Sequence, residues 1–261
     1  MNRIELKFNQ LRKNGEKALI PFITAGDPDL NTTIDLVLAM EEAGADIIEL
    51  GIPYSDPLAD GVTIQASSNR ALKNGAKIVK IMDAVKRIRK KTQVPLVYLV
   101  YYNSIFKYGM EKFMKESNES GIDGIIIPDL PIEERKDIIV IGEKYDIDII
   151  PLVAPTSKER IKNIVKDAKG FVYCVSVNGV TGVRNDISTN VEEYMNTILE
   201  YTNLPKALGF GISSSEMAAG FKPYCEGIIV GSAVIKEIEN GKNKEDVINN
   251  VRKFVGKLKK A

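Results

Sequence analysis

The sequence predicts an α/β chain: a (β/α)8 TIM barrel with an extra N-terminal helix and additional helices, one of them splitting the segment after the second strand. Three observations predict it. Eight short apolar runs recur along the 261 residues, each followed by a helical pattern. The runs are mostly apolar on both faces, which is what parallel strands buried on both sides require. Glycine-bearing turns follow the last three, at the corner where barrels frequently hold phosphate. An open doubly wound sheet is the competing arrangement. No stretch resembles an interdomain linker, so residues 1–261 are read as a single domain.

In chain order, residues 2–14 carry Ile4, Phe8 and Leu11 at helical spacing, and Asn14-Gly15 supplies a stop. Strand one is Ala18–Ile23, with the loop Thr24 to Pro28 and a helix from about Asn31 to Ala43. Strand two is Asp46–Leu50. Two helices follow, Val62–Lys73 and Ile78–Arg89, broken at Asn74-Gly75. Strand three is Pro95–Tyr101, with helix Met110–Glu119 after it, and strand four is Gly124–Ile127, with helix Glu133–Tyr145. Strand five, Asp148–Leu152, leads to helix Lys158–Lys166, and strand six, Phe171–Val175, leads to a long polar loop, Ser176 to Thr189. Helix Val191–Tyr201, strand seven (Lys206–Phe210), a short helix at Ser214–Gly220 and strand eight (Gly227–Val230) complete the barrel. The last helix, Lys244–Lys259, sets Val247, Val251, Phe254, Val255 and Leu258 on one face.

Composition narrows the function. Thirty-six Lys and Arg against 35 Asp and Glu leave a formal charge of +1, which gives no electrostatic case for nucleic acid or an anionic membrane. No apolar run approaches the roughly 18 residues of a membrane span. The first residues are polar and charged, unlike a secretory signal, so a cytoplasmic location is expected. Histidine is absent, which excludes histidine triads, histidine zinc sites and a histidine electrophile. The two cysteines, Cys174 and Cys225, are read as buried or half-buried free thiols.

The chemistry concentrates in Ile48 to Gln65, IELGIPYSDPLADGVTIQ. Strand alternation sets Ile47 and Glu49 on one face and Ile48 and Leu50 on the other. A lone carboxylate in such a strand is costly unless it sits in a polar site or performs chemistry. Asp60 closes the loop that follows. Two acids at the carboxyl end of a barrel strand suggest acid/base work. The turns Gly179-Val180-Thr181-Gly182, Gly209 to Ser213 and Gly231-Ser232 let backbone N–H groups approach an anion closely. A phosphate anchor with carboxylates and no histidine suits carbon–carbon cleavage or isomerisation of a phosphorylated substrate. A Schiff-base aldolase needs a lysine at a strand's carboxyl end, and Lys206 begins its strand instead. The electron sink is therefore expected in the substrate itself.

The run from Glu49 resembles the motif of the tryptophan synthase alpha chain family at Glu49, Gly51, Tyr54, Ser55, Asp56, Pro57, Ala59, Asp60 and Gly61. It departs at Val62, where that family usually has proline; the change removes no functional group. Pro21 to Pro28, Tyr101-Tyr102-Asn103, Pro128 to Pro131, Tyr173 with Gly179 to Gly182, Phe210 to Ser213 and Gly231-Ser232-Ala233 resemble further family segments. The resemblance implies retro-aldol cleavage of indole-3-glycerol phosphate to indole and glyceraldehyde 3-phosphate. Glu49 would shuttle protons and Asp60 would accept the indole N–H. A neutral acid is needed, so partial burial is expected to raise the Glu49 pKa. Phe22, Ile64, Leu99 and Tyr101 would line the substrate pocket, with Tyr173 hydrogen-bonding near Glu49 or the substrate hydroxyl. Thr181 and Gly182 belong to the covering loop, and Phe210, Gly211, Ser213, Gly231 and Ser232 to the phosphate turns. Asp56 and Pro57 would contact a beta chain in an α2β2 heterotetramer, to which indole is passed. No cofactor is expected in this chain; pyridoxal phosphate would belong to the beta chain. Two other functions compete: another phosphate-binding barrel enzyme, such as a prenyl-glyceryl phosphate synthase or an isomerase, and a non-catalytic regulatory subunit.

Overall fold

The computed structural model describes residues 2–130, 133–175 and 184–261, with side chains at all of these except 158–159 and 184–190. Its strands are β1 (Ala18–Thr24), β2 (Ile48–Gly51), β3 (Leu96–Leu99), β4 (Gly124–Ile126), β5 (Asp148–Ile150), β6 (Leu152–Val153), β7 (Val172–Val175), β8 (Lys206–Gly209) and β9 (Gly227–Val230). All pairings are parallel, in the order β5-β4-β3-β2-β1-β9-β8-β7-β6. β5 and β6 are two halves of the expected fifth strand, divided at Pro151, whose nitrogen has no hydrogen to donate. β5 pairs with β4 and β6 with β7, so the ends of the sheet meet across Pro151 and the barrel closes. The Pro151 carbonyl still accepts from the Tyr173 amide at 2.9 Å.

The helices are α1 (Arg3–Asn14), α2 (Leu30–Glu42), α3 (Val62–Lys73), α4 (Ile78–Arg89), α5 (Tyr102–Tyr108), α6 (Met110–Ser120), α7 (Arg135–Lys144), α8 (Ile161–Val165), α9 (Arg184–Leu199), α10 (Ser215–Phe221), α11 (Ser232–Glu239) and α12 (Lys244–Lys260). Three differ from the sequence expectation. α5 replaces the end of strand three: β3 stops at Leu99, and Tyr101 is the N-cap of α5. α9 begins at Arg184, inside the segment expected to be loop. The helix expected at Lys158–Lys166 is a 3-10 turn, Pro155–Arg160, followed by α8.

Alternation along the strands divides the core in two. Ala18, Ile20, Ile47, Val97, Ile126, Ile150, Phe171, Ala207 and Ile229 fill the barrel interior. Their neighbours in sequence, such as Leu19, Ile48, Leu96, Ile125, Val172, Leu208 and Ile228, pack outward in the second cluster, which also holds the buried residues of the surrounding helices. α1 plugs the amino end. Its Ile4, Phe8 and Leu11 join the inner cluster, and Phe8 meets Phe171 with ring centroids 5.8 Å apart. Gly124 makes room for the plug, because a Cβ there would lie 3.0 Å from Ile4 Cδ1. Truncating a buried isoleucine of this kind costs about 2–5 kcal/mol.

Two carboxyls at the amino end are buried and paired. Asp123 accepts from Arg3 and Arg89, each at 2.7 Å, and from the Leu96 amide at 2.8 Å. Asp46 accepts from Lys259 and from the Leu19 amide, both at 2.8 Å. Lys206, the first residue of β8, pairs with Glu226 at 3.0 Å; it stands at the end away from the mouth, as its position in the sequence implies.

Candidate active site

β2 carries Glu49 into the barrel at the level of Phe22 on β1 and Val97 on β3. Ile47 and Glu49 do share the inward face, while Ile48 and Leu50 pack outward. Glu49 is 1% exposed, and neither carboxyl oxygen has a hydrogen-bond partner among the described residues. An ionised carboxylate placed so would forfeit its hydration without compensation. Burial first, and the charge of Asp60 second, push its pKa up from 4.5 to about 8. The group is a neutral acid at pH 7, poised to give a proton and take one back.

Asp60 is half-buried in the loop after β2. Burial raises its pKa, and a hydrogen bond with Tyr101 opposes the rise. The loop is braced from β3 and α5. Tyr101 Oη accepts from the Ala59 amide at 3.1 Å. Tyr54 stacks on Tyr101 with centroids 5.1 Å apart, and Asn103 donates to Tyr54 Oη at 2.9 Å. α5 is held in turn by Asp129, which accepts from the Tyr102 amide at 2.8 Å. Gln65, in the first turns of α3, donates to the Asp60 carbonyl at 2.8 Å.

Two aromatic rings reach the mouth because glycines face them. A Cβ on Gly51 would lie 2.6 Å from the Phe22 ring, and one on Gly209 would lie 2.9 Å from the Tyr173 ring. Phe22 and Ile64 both come up to Gly231, 3.6 and 3.8 Å from where its Cβ would stand. Leu99 and Tyr173 are half-buried and pack on the inner cluster. Burial and the nearby charges of Glu49 and Asp60 push the Tyr173 phenol up. Tyr173 makes no hydrogen bond to Glu49, whose oxygens are both unpartnered. The phenol sits near the acid, and its ring lies against Gly209. Tyr101 bonds the Asp60 loop.

Across the mouth, Phe210 is half-buried, and Gly211 (φ 62°) and Ser213 are exposed. The positive φ at Gly211 is one that residues bearing a Cβ rarely adopt. Gly231 and Ser232 open α11, whose first turn has no side-chain cap. By contrast α2, α10 and α12 are capped by Asp29, Ser214 and Asn243. Uncapped amide hydrogens at a helix start favour an anion. Thr181 and Gly182 lie outside the described residues, as do Pro131 and Ile132. Asp56 is exposed and Pro57 half-buried at the outer rim of the loop, and Ser55 Oγ donates to Asp56 at 2.5 Å. Among the described residues no three His, Cys, Asp or Glu side chains group as a metal site.

Sequence reasoning passed over a cluster beside these residues. Asp27, 1% exposed in the loop after β1, accepts from Ser67 Oγ at 2.5 Å and from Arg70 at 2.8 and 2.9 Å. The available signal was an acid next to Gly26, with Ser67 and Arg70 three residues apart on one helical face.

A family model described as tryptophan synthase alpha chain matches residues 8–261. A curated tryptophan synthase alpha chain from Thermoanaerobacter sp. (strain X514) is 66% identical over 99% of both chains. A crystal structure of the alpha chain from Legionella pneumophila superposes with a TM-score of 0.92 at 32% identity, covering 100% of this chain and 97% of that one. A chain of Mycobacterium tuberculosis tryptophan synthase gives 0.90 at 33% identity, covering 99% and 97%.

Proposed function

The chain belongs to the tryptophan synthase alpha chain family, and from that premise we propose that Glu49 and Asp60 carry out the bond cleavage. The reaction is the lyase step of tryptophan biosynthesis in which indole-3-glycerol phosphate gives indole and glyceraldehyde 3-phosphate. The carbon–carbon bond between indole C3 and the side-chain carbinol breaks in the retro-aldol sense. A proton must arrive at C3, which makes the ring an iminium-like electron sink. Another must leave the adjacent hydroxyl, which becomes the aldehyde. The bonding pair returns to the ring, and no external electron carrier is involved.

Glu49 suits both transfers because its pKa, pushed up to about 8, lies near neutrality. A positioned acid/base of this kind contributes about 10²–10⁴ in rate. Asp60 accepts the indole N–H and stabilises the positive charge that develops on the ring. Phe22, Ile64 and Leu99 supply apolar walls for the ring. Phe210, Gly211, Ser213, Gly231 and Ser232 hold the phosphate through backbone amides and hydroxyls, with Thr181 and Gly182 closing above. The observation that carries this reading is Glu49 itself, a buried acid with no hydrogen-bond partner in the barrel mouth.

The alpha chain name implies a beta-chain partner. We take the assembly to be an α2β2 heterotetramer that passes indole to the beta chain, where pyridoxal phosphate belongs; the reaction above asks for no cofactor in this chain. The exposed Leu58 (94%), Val62 (82%) and Phe106 (64%) support a docking face at the mouth beside Asp56 and Pro57. The described residues hold no helix long and apolar enough to cross a membrane, and we place the enzyme in the cytoplasm.

The test is indole release from indole-3-glycerol phosphate by the purified chain, with Glu49→Gln alongside and a beta chain added in a second series. Indole from the wild type and almost none from the variant is the expected outcome. No indole in either series, with substrate still bound, would reassign the phosphate turns to a different barrel enzyme.

A further inference from the structure

Asp27 and Arg70 together join three elements that lie far apart in sequence. It belongs to the loop after β1. Its carboxyl takes Ser67 Oγ at 2.5 Å and a two-pronged contact from Arg70, Nε at 2.9 Å and Nη2 at 2.8 Å, both residues on α3. Arg70 has a second hand: its Nη1 lies 3.2 Å from Glu239, the last residue of α11. α3 is the helix that begins right after Asp60 and Gly61 and carries Ile64. α11 is the helix that begins at the Gly231-Ser232 turn. Ile64 Cδ1 already lies 3.8 Å from where a Gly231 Cβ would stand. α3 has no side-chain cap of its own.

From this geometry we propose that Arg70, acting through Asp27, is a positioning residue: it pins the later turns of α3 to the loop after β1 and to the last residue of α11, and so fixes where the start of α3, with Asp60 just before it, stands against the Gly231-Ser232 turn. The proposal rests on the reading of Glu49, Asp60 and the phosphate turns given above. Arg70 touches no reacting atom. Its guanidinium supplies a planar fork, which a lysine ammonium cannot reproduce. The buried carboxyl of Asp27 would also lose its principal partner in any Arg70 variant.

Misplacing a catalytic group by about 1 Å costs on the order of 10²-fold in rate. Arg70→Ala should therefore lower kcat about 10- to 100-fold in indole release, with KM changed less than about threefold. Arg70→Lys should fall between it and wild type, and millimolar guanidinium should restore part of the Arg70→Ala activity. The pH profile should move as well. With Asp60 displaced, Glu49 feels less of its charge, so the Glu49 limb shifts to lower pH.

Lys259→Met is the control, because it strips the buried Asp46 of its lysine at the opposite end; it should lower the melting temperature and leave kcat alone. Should Arg70→Ala fail to fold, Arg70→Lys and Ser67→Ala carry the same comparison. Wild-type kcat per folded molecule in the Arg70 variants, with no guanidinium response and an unmoved pH profile, would overturn the proposal. Absence of indole from the wild type would instead overturn the reading of the site on which it rests.

Discussion

Asp123 and Asp46 at the amino end of the barrel are buried, 3% and 6% exposed, and so is Glu49 near the carboxyl end, at 1%. Asp123 receives two arginines and Asp46 a lysine, each with a backbone amide besides. Glu49 receives nothing. Burial without a partner drives a carboxyl towards its neutral form; cations and amides around a buried carboxyl favour the ionised one. The first arrangement costs stability and yields an acid at neutral pH. The second ties α1, α4 and α12 to the strands and yields structure. Asp148 is an instructive intermediate. It sits at the amino end with no ion pair among the described residues, and burial together with Asp146 pushes it up to about 7. It borders a groove beside α1.

The largest effect that could break this contrast is on activity. Glu49→Gln should cut indole release by at least about 10²-fold, because glutamine can neither give nor take the proton. Asp123→Ala should leave turnover per folded molecule intact while destabilising the protein by about 3–5 kcal/mol, since it strands the mostly buried Arg89. Chemical denaturation with a parallel activity assay checks both arms. A loss of activity in Asp123→Ala without loss of stability would dissolve the division between the ends.

Stability against pH sharpens the same point. Glu49 and Asp148 both have folded pKa values above their unfolded ones, about 8 and about 7 against 4.5 and 3.8. For such groups the folded state bears no penalty below the unfolded pKa. The penalty grows as pH rises between the two pKa values, by about 1.4 kcal/mol per pH unit, and is complete above the folded one. Glu49→Gln should therefore match wild type near pH 4 and exceed it in denaturation midpoint near pH 8. A midpoint difference that stays flat between those pH values would contradict the unpaired burial of Glu49.

Smaller effects come from the residues that shape the mouth. Gly51→Ala drives a methyl into the Phe22 ring and should cost about 1–3 kcal/mol, with KM for indole-3-glycerol phosphate raised as the indole wall shifts. Smallest is Val62→Pro, which restores the residue usual in the family at the first position of α3. It should add about 0.4–1 kcal/mol by restricting the unfolded chain, with indole release unchanged.

The inward placement of Glu49 could be read from the sequence because strand side chains alternate, and a glutamate two residues after Ile47 must share its face. The glycine-bearing turns after the last strands were legible because glycine marks close backbone approach. α5 was not: two tyrosines and an asparagine after β3 read as a strand end, and the helix is secured by Asp129 and Tyr54 from other loops. The start of α9 at Arg184 was hidden by a polar run that resembles a loop. The engagement of Ala59 and Asp60 by the Tyr101 hydroxyl, across 42 and 41 residues of sequence, has no local signal. The Asp27–Arg70 pair, 43 residues apart, was invisible for the same reason. Pairing over such separations is set by the closed barrel, which local pattern does not encode.

The most direct measurement is titration of the Glu49 carboxyl by carbon-13 NMR in the ligand-free protein, with Glu49→Gln identifying the signal. The account predicts a midpoint near pH 8, where burial and the charge of Asp60 place it. A Glu49 midpoint in the ordinary range of about 4–5 would mean that the carboxyl is hydrated or partnered in solution, and it would contradict the assignment of this residue as the neutral acid.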